Sequence, residues 1–249
     1  MIALLTLLII VFAQAEGDSE RAAALIRSAI EARGGDQYLA IRTVVAKGYY
    51  TRFTKGVPEI PEPFTDYIAY PDRERTEFGR GGRKFIQTNA GNFGWIYDAQ
   101  QKMIRDQTDQ QVRSWQQGMR YDLDNLLRIH WKEPGAKIVY LGRREAWHDV
   151  FSEAIRIDFA DDSWVTIHFD RRTGLPLMIE YKRITEDGPV DEQVRYFQWV
   201  ELGGIKFSNI QDVYRNGQQV ARINYTSISY NVNLPEALFA KPKSPKEVK

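Results

Sequence analysis

The side chains of this chain that could do chemistry are three histidines and a crowd of aspartates, with no cysteine at all. His130, His148 and His168 fall at no metal-ligand spacing, and there is no H-E-x-x-H pair on a helix, so no catalytic metal is expected. The absence of cysteine excludes a disulfide scaffold, a thiolate metal site, a cysteine nucleophile and a lipid-modified N-terminal cysteine. Trp147-His148-Asp149 followed by Ser152 has the ingredients of an acyl-transfer triad. Adjacent residues of a strand point to opposite faces, however, and there is no G-x-S-x-G elbow to present the serine. Asp158, Asp161, Asp162 and Asp170 gather around one hairpin. A calcium site and plain turns both draw on such residues; the spacing is not that of an EF-hand loop, which favours turns. Gly79-Arg80-Gly81-Gly82 lacks the Walker lysine and serine and precedes no helix, so it reads as a hairpin rather than a phosphate loop. Asn224-Tyr225-Thr226 matches a glycosylation sequon but sits inside a strand pattern. No catalytic residue, metal ligand or cofactor is therefore assigned.

What remains is apolar and aromatic. Phe93, Trp95, Tyr97, Trp115, Trp131, Trp164, Phe197 and Trp199 are many large rings for one sheet. Each alone is ordinary core; together they also fit the wall of a dry cavity. The elements that would carry them follow from periodicity. From Phe151 to Tyr230 apolar residues occupy every second position, as in Ile155, Ile157 and Phe159, then Val165, Ile167 and Phe169, then Leu175, Leu177, Ile179 and Tyr181. This is the period of strands with one dry and one wet face. Turns separate them at Asp161-Asp162-Ser163, Asp170–Gly174, Glu186–Pro189, Leu202–Gly204 and Asn216-Gly217. Short turns imply an antiparallel meander. Shorter strands are expected from Thr43 to Asp106, with a proline-rich bend at Pro58–Pro63.

Two helical stretches interrupt the strands. Ala22, Leu25, Ile26, Ala29 and Ile30 make one apolar stripe on a helix over Glu16–Arg33, with Ser19 as its N-cap and Gly34-Gly35 as its stop. Trp115, Met119, Leu123, Leu127 and Trp131 recur every four residues over Asp109–Trp131, with Leu126 on the same side and possible breaks at Gly118 and Asp122. The fold class expected is mainly β (α+β): a strongly curved antiparallel sheet, or incomplete β-barrel, with an N-terminal helix and a helical lid.

Composition bounds the function classes. The chain has 249 residues, 43% of them hydrophobic and 12% aromatic, and 34 Lys plus Arg against 33 Asp plus Glu. That is enough for one sizeable β domain, and a net charge of +1 gives no basic footprint for nucleic acid. Ile2–Phe12 is almost wholly apolar and Ala13-Gln14-Ala15 fits a small-x-small cleavage rule, so residues 1–15 read as an export signal with the mature chain starting at Glu16. No basic residue precedes the apolar run; a run this short falls below the ~20 residues of a membrane span. Residues 16–240 read as a single domain and 241–249 as a flexible tail.

Across nearly the whole mature chain a set of short motifs resembles the outer-membrane lipoprotein-sorting proteins, relatives of the periplasmic carrier of the Lol pathway. The motifs are the helix ending at Gly34-Gly35, Tyr70-Pro71-Asp72-Arg73, Gly91–Trp95, Asp170–Pro176, Gly203–Phe207, and Asn231–Pro235 with Leu238-Phe239. The resemblance implies an incomplete antiparallel barrel whose mouth is closed by helices. It implies a cavity for lipid or lipoprotein acyl chains, no catalysis, envelope membrane proteins as further partners, and a soluble periplasmic or otherwise exported location.

The leading expectation is thus a non-enzymatic carrier or chaperone. Its ligand-binding residues would be Trp95, Tyr97, Trp115, Met119, Leu123, Leu126, Leu127, Trp131, Ile155, Ile157, Val165 and Ile167, lining a mostly dry cavity. The alternatives are a periplasmic enzyme acting on an apolar substrate, which needs a polar cluster on the cavity floor, and a structural envelope module with a filled core.

Overall fold

The computed structural model describes residues 2–185 and 187–248, with side chains from Asp18 onward. Helix α1 spans Ile2–Arg33 and is followed by the short helix α2, Gly35–Leu39. Strands β1 (Thr43–Thr54), β2 (Val57–Pro58), β3 (Glu62–Ala69), β4 (Arg73–Phe78), β5 (Phe85–Ala90), β6 (Phe93–Asp98) and β7 (Met103–Asp106) follow. Helices α3 (Asp109–Tyr121) and α4 (Leu123–Arg128) then interrupt the strand run. The second strand series is β8 (Lys137–Trp147), β9 (Val150–Asp158), β10 (Trp164–Phe169), β11 (Pro176–Thr185), β12 (Gly188–Leu202), β13 (Ile205–Arg215) and β14 (Gln218–Tyr230).

All but β2, which pairs only with β1, form one path of neighbours: β7-β6-β5-β4-β3-β1-β14-β13-β12-β11-β10-β9-β8. Every pairing is antiparallel. Two meanders are joined where β1 lies between β3 and β14. The path ends at β7 and β8 without closing. The connection between these two edges is the α3–α4 segment, so one stretch of chain spans the gap that a closed barrel would have sealed with hydrogen bonds.

That the sheet curls can be deduced from α3. Trp115 reaches Glu74 on β4, while Ser114 and Gln117 reach Arg183 and Lys182 on β11. These strands are six steps apart in the sheet order. A flat sheet would hold them roughly 29 Å apart at ~4.8 Å per strand, against a helix ~10–12 Å wide. The strands must therefore wrap around the helix. Register shifts at Lys47/Gly48 and Val213/Tyr214 supply bends, since a bulge kinks a strand and increases its twist. At Gly48 the backbone carbonyl of Asn224 would lie 2.2 Å from an added Cβ and the Phe64 ring 2.9 Å from it. Phe64 and Tyr225 meet edge to face at 5.8 Å.

The concave face is filled at one end only. Ala22, Ile26, Ala29 and Ile30 of α1 press onto Ile155, Ile157, Val165, Ile167 and Phe169, with Leu126 and Leu127 of α4 completing the cluster. The strands from Phe151 to Tyr230 run and turn where the alternation placed them. Asn216 and Gly217 both adopt positive φ, and Asp170 Oδ1 accepts from the Arg172 and Thr173 amides in its turn. The turn containing Glu186 lies partly outside the described residues.

Three local expectations are corrected. Ser19 is not an N-cap, because α1 already runs through it from Ile2; the apolar run before it has no helix breaker strong enough to separate the two segments. Asp122 splits the helical insert and Gly118 does not. Helix α2 was not anticipated, five residues being too short to show a period. The signal-cleavage motif at residues 13–15 lies on α1 with its side chains outside the described set, and no described helix is long and apolar enough to cross a membrane.

Replacing Gly48 by Ala is expected to destabilise the fold by about 1–3 kcal/mol, the usual range for an overpacked position. Urea unfolding checks this; an unchanged midpoint would mean that the close approach of β14 is not needed for the bend.

Candidate functional site

The unfilled end of the concave face holds a cavity of about 730 Å³ between α3 and the sheet. Helix α3 forms its roof. Thr108 caps the helix in a reciprocal capping box with Gln111, which fixes where the roof begins. Trp115 and Met119 point into the cavity. Phe78, Ile96, Ile179, Val194 and Ile223 supply apolar wall, and Tyr50, Tyr121, Tyr181 and Tyr196 supply rings with polar tips. The remaining wall is polar, including Glu74, Gln87, Gln107, Asp122, Arg183, Gln211 and Arg215. The expectation of a mostly dry cavity is thus corrected: the surface is amphipathic. A narrow extension of about 90 Å³, which shares Asp122, Tyr196 and Gln211 with the main cavity, runs under Leu123 towards Val44, Tyr225 and Ile228.

The residues expected at the site separate into three groups. Trp115, Met119 and Leu123 line the cavity or its extension. Leu126, Leu127, Ile155, Ile157, Val165 and Ile167 lie in the solid cluster beneath α1, and Trp131 covers its edge with Nε1 donating to the Leu127 carbonyl. Their alternation was read correctly, but α1 occupies the space they face. Trp95 and Tyr97 lie on the opposite face of β6 from the cavity-lining Ile96. Trp95 is fully buried there, because the C-terminal segment folds over it: Nε1 donates to the Phe239 carbonyl at 3.0 Å, and Arg75 lies over the ring. The polar lining was missed, although a signal existed. Arg183 continues the inward row of Ile179 and Tyr181, and Glu192 begins that of Val194 and Tyr196, so charges stand where the pattern calls for apolar residues.

Two buried electrostatic assemblies border the cavity. On the β11–β13 wall, Glu192 accepts from Tyr181 Oη (2.6 Å), Arg183 Nη1 (3.0 Å) and Arg215 Nε (2.7 Å). Arg183 also donates to the carbonyl and hydroxyl of Ser114, tying this wall to the roof. At the base, Asp124 at the start of α4 accepts from Arg33, from Tyr38 Oη (2.7 Å) and from Tyr70 Oη (3.0 Å). Arg128 stacks on both tyrosines and donates to the Ile41 carbonyl. Burial alone would raise the Asp124 pKa, but Arg33 and Arg128 outweigh it and hold the carboxyl at about 2. Asp122, which caps α4 through the Asp124 and Asn125 amides, is pushed up to about 7 by burial and by the Asp124 charge. Burial likewise raises Glu74, against the indole hydrogen bond from Trp115, and raises Asp66 together with the nearby Glu74 charge.

The two halves of the insert are therefore held differently. Helix α4 is a plug, with buried leucines below and the Asp124 assembly beside it. Helix α3 is held at its C-terminal end by Tyr121, buried against Phe159 and Tyr181, and along its length by polar links: Ser114 to Arg183, Trp115 to Glu74, Gln116 to Gly91 and Asn92, Gln117 to Lys182 and Ile184, and Arg120 to Glu133 and Asp161. A second hollow of about 610 Å³ runs along its outer side beside Trp164 and Lys182. A helix flanked by space on two sides belongs to the least stable part of a fold, as a lid does.

Elsewhere Ser152 Oγ lies 2.8 Å from His168 Nδ1, and His168 Nε2 lies 3.5 Å from Glu180. His168 is buried even though it alternates with the apolar Ile167 and Phe169. This trio is no hydrolase centre: Ser152 is itself buried, also donates to the Arg144 carbonyl, and lines none of the cavities described above. Glu145, His148 and Asp149 come together on the exposed β8–β9 turn, where Glu145 is engaged by the Asp149 amide. The aspartates of the β9–β10 turn serve the turn itself, Asp161 accepting from both the amide and the hydroxyl of Ser163.

The open antiparallel half-barrel, with helices across its mouth and a cavity beneath them, shares its fold with several solved structures. A DUF1329 family protein from Desulfovibrio piger superposes with a TM-score of 0.61 at 14% identity, covering 88% of this chain and 97% of that one. A LolA superfamily protein from Nitrosomonas europaea gives 0.57 at 13% identity over 88% and 97% of the two chains. A domain described as outer membrane lipoprotein-sorting, from Vibrio parahaemolyticus, gives 0.55 at 11% identity over 90% and 97%. No protein-family model and no curated protein sequence matches the chain. The fold is thus the LolA-like one that the sequence motifs implied.

The two neighbouring aspartates predict opposite pH signatures. Asp124 is depressed, so its contribution is present above the ordinary carboxylate pKa of ~3.9 and is lost as the pH falls towards 2. Asp122 is raised, so the stability linked to its proton is full below the ordinary 3.8 and is lost as the pH rises through about 7. Asp124→Asn is expected to destabilise the protein strongly at pH 7 by leaving Arg33 buried without its anion. Asp122→Asn, which keeps a capping oxygen, is expected to raise the melting temperature at pH 8 and flatten its decline between pH 4 and 7. Melting curves across pH check both.

Proposed function

We propose that this protein is an exported, non-enzymatic carrier or chaperone that holds a lipid, or the acyl chain of a lipoprotein, in the cavity beneath α3. The observation that carries this reading is the 730 Å³ space on the concave face, roofed by helix α3. A volume of this size falls within the ~300–1,000 Å³ typical of small-molecule sites. The printed descriptions of two solved neighbours, lipoprotein-sorting and LolA superfamily, favour the same class of cargo. A membrane protein of the envelope is the natural donor or acceptor. The apolar run followed by Ala13-Gln14-Ala15 favours delivery to the periplasm or another exported compartment.

The chemistry of the lining favours carriage over catalysis. Asp122 is committed to capping α4, Glu74 to the Trp115 indole, and Glu192 to three donors. A general base must reach a substrate proton, and these carboxyls already have structural partners. The space favours a carrier over a structural module with a filled core.

Two experiments test the reading. Lipid extraction of the purified protein followed by mass spectrometry is expected to return a bound lipid. A fluorescent lipid is expected to bind with a Kd that Trp115→Ala and Met119→Asp weaken by about tenfold or more, corresponding to ~1.4 kcal/mol, with only a modest fall in melting temperature. Leu127→Asp, in the solid cluster, is expected to unfold the protein instead. Full binding by folded Trp115 and Met119 variants would remove α3 from the site. N-terminal sequencing of the exported product is expected to begin at Glu16; a retained Met1 on membrane-bound protein would reject the cleaved signal.

A further inference from the structure

We infer that the cavity takes a single-chain amphiphile with an anionic head, and that Arg215 forms the head-group subsite. The inference rests on the carrier reading and adds the class of ligand to it.

The walls of the cavity differ in the charge they can accept. Glu74 and Asp122 are the acidic wall, with Asp66 nearby, and nothing there would welcome an anion. The β11–β13 wall is the reverse. Two guanidinium groups share one buried carboxylate, so Arg183, Arg215 and Glu192 together carry a net positive charge. The pairing follows from sheet register, because Tyr181, Glu192 and Arg215 lie opposite one another on three successive strands.

The two arginines are used differently. Arg183 is consumed by Glu192, Tyr181 and the two Ser114 oxygens. Arg215 spends only Nε on Glu192 at 2.7 Å, and its two terminal amino groups meet no acceptor among the described residues. Its side chain is 43% exposed and lines the cavity. A guanidinium pinned through Nε, with its outer edge free, is a planar fork already aimed, and such forks bind carboxylate and phosphate through paired hydrogen bonds. Tyr50 lines the same cavity, and its hydroxyl makes no hydrogen bond among the described residues. Burial raises its pKa, which keeps the hydroxyl a donor, against the charges of Arg52, Arg215 and Arg183. Asp187 also lines the opening and opposes an anion there.

An apolar body fits the rest of the space. Ile179, Val194, Ile223, Phe78, Trp115 and Met119 supply apolar wall, and the narrow extension under Leu123 is wide enough for little beyond a chain end. A ligand with one charged end and one long apolar end matches this division; a wholly neutral lipid leaves the Arg215 fork unanswered. Carboxylate and phosphate heads share the required chemistry.

The test compares cis-parinaric acid with the matching parinaryl alcohol by fluorescence titration at pH 7.5, with dodecyl phosphate and dodecanoate as competitors. The acid is expected to bind about 10–100-fold more tightly than the alcohol, the effect of one charge-assisted hydrogen-bonded pair. Added salt should weaken the acid and leave the alcohol unchanged. Arg215→Gln should abolish the preference while the alcohol still binds, Arg215→Lys should retain part of it, and Asp187→Asn should widen it. The competitor that displaces the probe at lower concentration identifies the head as carboxylate or phosphate. Equal binding of acid and alcohol by the natural protein, or an undiminished preference in folded Arg215→Gln, would overturn the inference and leave the carrier reading standing. Failure of both probes to bind would overturn the carrier reading and this inference with it.

Discussion

One carboxylate sets the division of labour in this fold. Asp124 sits where α1, α2, α4 and the end of β3 converge, and takes hydrogen bonds from Arg33, Tyr38 and Tyr70. Arg33, buried at this junction, is costly to leave without its anion. Fixing α4 there places Leu126 and Leu127 in the cluster under α1 and closes that end of the curved sheet. Helix α3, past the break at Asp122, has no comparable anchor. The contrast between a plug and a roof arises within 20 residues of continuous helical pattern: α4 puts its leucines into the solid cluster, while α3 puts Trp115 and Met119 against the cavity.

The fold was readable because alternation survives in nearly every strand of the second meander, and because its turns use residues with local reasons to turn. Asn216-Gly217 takes positive φ at both positions, and Asp170 gathers the amides of its own loop. The site was readable only in part. Periodicity tells that Ile155 and Ile167 face inward; whether a cavity or another helix awaits them depends on where α1 lies, which no local pattern encodes. Trp95 shows the same limit from the other side. Its size and burial were evident, but the segment that buries it arrives from more than a hundred residues away, on the opposite face of the sheet.

The polar half of the lining was invisible for a different reason. Arg183, Glu192 and Glu74 occupy inward rows and break the alternation, and an interrupted row reads as the end of a strand or as noise. In the structure those interruptions are where the sheet departs from being a mere container. Arg183 and Glu192 pair with one another, and burial raises the pKa of Glu74, so the wall carries less charge than its residue types suggest.

The pairing of β1 with β14 has a consequence for how the chain acquires this shape. The first strand of the sheet and the last are neighbours, separated by nearly the whole domain in sequence. Contacts between remote segments form late, because the intervening chain must be ordered before they are rewarded, and folds rich in them are slow. Emerging from its N-terminus, the chain presents β1 with β2 and β3 but not β14 until the final hairpin follows. During that interval the inner edge of β1 and the apolar inner faces of both meanders are open to any other strand or greasy surface nearby. The central seam of the finished half-barrel is thus the last part of it to exist, and a nascent chain has to be kept from aggregating until its end arrives.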